Sequence, residues 1–66
     1  MPHDLTLQPN LSDPDGFYAR LLAAHDGLSD AQSAALNARI LFILANQIGD
    51  AQVLAAAIEQ ARTPSV

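Results

Sequence analysis

The sequence predicts an all-α fold, a small three-helix bundle preceded by an extended arm, and three observations carry that prediction. Apolar residues recur at the three-to-four spacing of an amphipathic helix in three separate windows. Each window opens on a residue that caps helices well, namely Asp13, Ser29 or Asp50. Each is followed by a residue that ends helices, Gly27, Gly49 or Pro64. The expected helices span about 14–25, 30–48 and 51–62, within one helical domain over 13–62, with an arm at 1–12 and a tail at 63–66.

The arm, Met1 to Ser12, contains Pro2, Pro9 and Asn10, and its one alternating stretch, Asp4 to Gln8, is too brief for an independent strand. Its leucines, Leu5, Leu7 and Leu11, are suited either to a groove of the same chain or a partner, or to a frayed terminus. Asp13-Pro14-Asp15 then starts the first helix. Asp13 can cap, Pro14 suits the first helical position because its missing N–H would have no partner there, and Asp15 complements the dipole. Phe17, Leu21 and Ala24 form its apolar stripe beside Tyr18, Leu22 and His25.

The central stretch from Ser29 to Gly49 organises the chain. Ser29 and Gln32 have the spacing of a capping box, in which each side chain bonds the other's backbone N–H. No proline or glycine then interrupts the run before Gly49. At about 100° per residue, Leu36, Ile40, Leu41, Ile43, Leu44 and Ile48 fall on one broad side, the expected core face. Ala35, Ala38, Arg39, Phe42, Ala45 and Asn46 fall opposite. A helix apolar nearly all round, as Ile40 to Ala45 is, normally has neighbours on more than one side. Beyond Gly49, which is expected to take a positive φ, Val53, Leu54, Ala57, Ile58 and Ala61 give the third helix its inner stripe.

Sixty-six residues make at most one domain. A chain this short buries only about 60% of its unfolded surface, and without a disulfide or obvious metal its core supplies no more than ~3–5 kcal/mol. Association is the expected remedy. The net charge of −4 is largely structural, because Asp13, Asp15, Asp30 and Asp50 sit at helix starts. There is no lysine, and Arg20, Arg39 and Arg62 lie on three different helices, so no cationic stripe for nucleic acid is expected. The run ILFILA is too short to span a membrane, which takes roughly 20 apolar residues. The first ten residues lack the pattern of a signal peptide, and the expected compartment is the cytoplasm.

No motif outweighs its structural reading. His3-Asp4 and His25-Asp26 are neighbours in sequence and cannot offer a metal the matched pair that an i, i+4 spacing gives. His25 is better explained by the helix C-terminus or by packing of its ring. Ser12 and Ser29 occupy cap-like positions, Ser33 has no nucleophile elbow, and the glycines are isolated. No catalytic residue, metal or cofactor is expected. Asn37, Arg39 and Asn46 interrupt the most apolar helix, either as a solvated edge or as a polar set fixing register at an interface. In the second reading Phe42 is the apolar anchor.

Four segments together are distinctive: LSDPDGFY at Leu11 to Tyr18, AAHDGLS at Ala23 to Ser29, ALNAR at Ala35 to Arg39, and LANQIGD at Leu44 to Asp50. The chain from about Leu11 to Ile58 resembles a family of short, stand-alone bacterial proteins classed as a domain of unknown function. That resemblance implies no activity. An association of such proteins with flavin-dependent monooxygenases and aromatic-degradation enzymes would imply an accessory role. The pattern GLSDAQSAAL at Gly27 to Leu36 is also similar to the small helical subunit of extradiol protocatechuate-type dioxygenases.

The functional expectation is a non-catalytic helical interaction protein, a homo-oligomer or an accessory subunit of a larger protein, whose partner-binding residues are Phe42, Arg39, Asn46 and Asn37. The alternative is a small-molecule or enzymatic site formed by Tyr18, His25, Asn37 and Arg39. Such a site needs a pocket of ~300 Å³ or more.

Overall fold

The computed structural model describes residues 5–63. The expectations for His3 and Asp4, for the first four residues of the arm and for Pro64 and the rest of the tail lie outside the described residues. Three helices follow one another: α1 (Pro14–Ala24), α2 (Asp30–Ile48) and α3 (Ala51–Arg62). Their bounds match the expected ones to within a residue, and no strand occurs among the described residues. Residues 5–13 run without helix or strand into α1.

Each helix begins where a side chain satisfies backbone donors that the helix itself leaves unpaired. At α1 the Asp13 carboxylate accepts from the Gly16 N–H at 3.1 Å. Asp13 does this from the left-handed region, at φ 56° and ψ 62°, rather than from the extended backbone usual for a cap. Aspartate is one of the few non-glycine residues that tolerate such a conformation. Gly16 is part of the same device, because a Cβ at that position would collide with the Asp13 carboxylate.

At α2 the expected capping box is present in both directions. The Gln32 N–H donates to Ser29 Oγ at 3.1 Å, and the Ser29 N–H donates to Gln32 Oε1 at 3.0 Å. At α3 Asp50 Oδ1 accepts from the N–H groups of Gln52 and Val53 at 2.9 and 3.3 Å. Between α2 and α3, Gly49 turns the chain at φ 79°, and its N–H donates to the Ala45 carbonyl at 2.8 Å. Gly27, in the α1–α2 link, also has a positive φ, of 78°.

Packing is sparse by comparison. The backbones of α2 and α3 approach each other, whereas α1 meets α2 through side chains. No described residue is buried, and the nearest thing to a core is a half-buried set with Leu21, Leu36 and Ile40 near α1 and Ala45, Val53, Leu54 and Ala57 near α3. Of the expected core face of α2, only Leu36 and Ile40 are half-buried. Leu41, Ile43, Leu44 and Ile48 are exposed. The reason is geometric: residues 41 to 44 are all apolar and point in four directions about 100° apart. Two short neighbouring helices cannot cover all four.

The overall dimensions, to which the non-helical residues 5–13 also contribute, exceed those of a compact domain. The radius of gyration is 13.7 Å, against about 11 Å for a compact domain of this length. The accessible surface is 5783 Å², against roughly 4,000 Å² for a folded monomer of this mass.

Candidate interaction surface

The strongest feature of the surface is the middle of α2. Leu41, Phe42 and Ile43 are 65%, 73% and 62% exposed, and Leu44 and Ile48 are exposed as well. They are held there by a rigid helix with both ends capped, so their exposure follows from placement and not from a loose loop. Tyr18 and Leu22 on α1 and Ile58 on α3 are also exposed. Exposed large apolar side chains gathered along one helix in this number are a feature of contact sites.

Phe42, Arg39 and Asn46 share one side of α2 at i, i−3 and i+4 spacing. All three are exposed, and neither the Arg39 nor the Asn46 side chain makes a hydrogen bond among the described residues. Asn37, the fourth residue of the expected set, belongs elsewhere. Its side chain lies 2.9 Å from His25 Nε2, joining α2 to the end of α1.

His25 is held from two sides. Its Nδ1 donates to the Leu21 carbonyl at 2.7 Å, which satisfies one of the last carbonyls of α1. The atom facing Nε2 is the Asn37 amide oxygen, so a ring that donates at both nitrogens fits this arrangement, whereas a neutral ring with its proton on Nδ1 needs the amide turned over so that its NH₂ donates to Nε2. The ring therefore works as a clamp at a helix C-terminus, the role expected from its position.

Of the four residues grouped in the alternative reading, the structure brings together only His25 and Asn37. Tyr18 is exposed on α1, and Arg39 lies on the other side of α2 from Asn37, about 160° away around the helix. The concavity nearest them is an open groove between α1 and α2, about 380 Å³ in volume. Phe17, Leu21, Ile40, Leu41 and Leu44 line it, and Asn37 is its one polar side chain. Its walls can receive an apolar group but offer no convergent set of acids, bases or donors for chemistry. Among the described residues no three His, Asp or Glu side chains gather at a point, and no helix is long and apolar enough to cross a membrane.

Two features escaped the sequence reading. Gly16 had no visible role until the Asp13 carboxylate was placed over its N–H, although the D-P-D-G order contained the signal. Exposure of residues assigned to the core face depends on how many neighbours α2 has, which its own periodicity does not encode.

A family model described as Protein of unknown function (DUF2783) matches residues 5–63 of the chain. No curated protein and no solved structure matches the chain.

Proposed function

The chain belongs to the DUF2783 family, proteins of unknown function, and we propose that it is a non-catalytic helical interaction protein whose α2 completes its packing against another polypeptide. That polypeptide is a second copy or a larger protein to which this chain is an accessory subunit. One observation carries the reading: a well-capped helix exposes four consecutive large apolar side chains, Leu41 to Leu44, in a chain with no buried residue among those described. Burial of apolar area contributes ~25 cal/mol per Å², so association supplies what the single chain lacks. Phe42 has the size and position of an interface anchor, and Arg39 and Asn46 fit a polar rim beside it.

The groove between α1 and α2 supports a narrower second reading, an apolar small-molecule site. A single polar wall residue, Asn37, gives such a ligand little to orient it.

Copurification from the native host, run beside a Phe42→Arg, Ile43→Arg double variant, tests the main reading. The expected result is a stoichiometric partner, foreign or a second copy, that the wild type retains and the variant loses. A wild-type chain that is folded, monomeric at high concentration and devoid of any retained protein overturns it.

A further inference from the structure

We infer that Asp26–Gly27, in the link between α1 and α2, is a site of spontaneous succinimide formation, through which Asp26 becomes isoaspartate in the folded protein. The reaction needs an aspartate side chain that is free to turn and, after it, a backbone nitrogen that is free to attack. It also needs a next residue without a side chain in the way, which glycine supplies. The chain has two Asp-Gly pairs, Asp15–Gly16 and Asp26–Gly27, so the fold must choose between them.

Asp26 and Gly27 are both exposed and lie outside the helices. The Asp26 carboxylate has no hydrogen-bond or ion-pair partner among the described residues, and the Gly27 N–H donates to none of them. Nothing comes within 4 Å of where a Cβ on Gly27 would stand, so the surroundings of this peptide are open. Asp15–Gly16 has the same chemistry in the opposite setting. Both residues belong to the first turn of α1, Gly16 is half-buried, and its N–H is occupied by the Asp13 carboxylate at 3.1 Å. Attack from Asp15 would have to give up that bond and unwind the start of the helix.

The reaction needs no co-reactant other than water. The Gly27 nitrogen attacks Asp26 Cγ, a C–N bond forms, and the N–H hydrogen leaves with a carboxyl oxygen and its proton as water. Water then opens the cyclic imide. Addition at Cγ restores aspartate, whereas addition at the Asp26 main-chain carbonyl leaves the chain running through the side-chain carbon as isoaspartate. That product has an extra main-chain carbon inside the turn that the Leu28 N–H closes onto the His25 carbonyl at 3.2 Å, next to the His25 clamp.

Prolonged incubation of the folded full chain in mildly acidic buffer, followed by peptide mapping, tests this. Trypsin cuts after Arg20 and Arg39, which puts Asp15 and Asp26 in different peptides. The Asp26 peptide should gain a form lighter by one water, and then a form of unchanged mass and altered retention that resists an aspartate-specific protease at Asp26. Isoaspartate at Asp15 should accumulate at least about tenfold more slowly, the factor that about 1.4 kcal/mol of local opening gives. In denaturant the two sites should react at similar rates, because both are then unprotected Asp-Gly pairs. Equal accumulation at both positions in the folded chain overturns the proposal, as does an Asp26 that stays unmodified when folded and reacts only in denaturant. A rate ratio that persists in denaturant also overturns it, because the fold is then not its cause.

Discussion

The junctions at the two ends of α2 differ from the apolar run at its middle in how far a single chain satisfies them. At Ser29 and Gln32 two backbone donors are paired reciprocally, and at Gly49 the turn is closed by a bond to Ala45. Asp50 then caps α3 within one residue. Further in from Gly49, the chain sets Leu41 to Leu44 on a helix with solvent on most sides. The junctions depend on residues within four positions of one another, so a monomer completes them. The middle depends on neighbours that this chain does not supply.

The contrast predicts that junction variants change stability by amounts independent of association, whereas variants at the middle change association. Gly49→Val should be the most damaging of the junction changes. Space is not the issue, since a Cβ there meets only the Asn46 carbonyl at 3.9 Å. A β-branched residue at φ 79° is strained by about 1–3 kcal/mol. Urea titration at fixed protein concentration should show a lower midpoint, and an unchanged midpoint would mean that the α2–α3 turn is not closed as described.

Ser29→Ala should cost about 1 kcal/mol by opening the capping box. Ser29→Asp restores an acceptor and should recover most of that loss in thermal melts. Equal melting of all three proteins would remove the box from the account of how α2 starts.

The smallest effect should come from Asn37→Ala, which deletes the link to His25. An exposed hydrogen bond of this kind lies at the low end of the usual range, about 0.5 kcal/mol. Its loss should be read locally: amide exchange should quicken in α1 and leave the centre of α2 unchanged. Faster exchange throughout α2 would show that the His25 clamp holds more of the fold than α1.

Much of the architecture was legible because it rests on short-range chemistry. Pro14 after Asp13, Ser29 three residues before Gln32, and Asp50 after Gly49 each decide a boundary through a bond spanning no more than four residues. A role for His25 at the end of α1, by the helix C-terminus or by ring packing, was legible for the same reason, and the structure decides for the C-terminus through the Leu21 carbonyl. The left-handed Asp13 was not, because its backbone follows from how Gly16 admits the carboxylate, a matter of contact and not of propensity.

The sequence by itself determined three helices, their limits and the two turns between them, together with a central helix apolar on nearly every side. Only the tertiary structure decided which of those sides α1 and α3 cover. It placed Leu36 and Ile40 in half-buried positions and left Leu41 to Leu44 in solvent. It also separated Arg39 from Asn37 and took Asn37 to His25. Periodicity reports that a face is apolar, and burial depends on the number and length of the neighbours that reach it. Two neighbours of 11 and 12 residues are too few and too short to enclose a 19-residue helix.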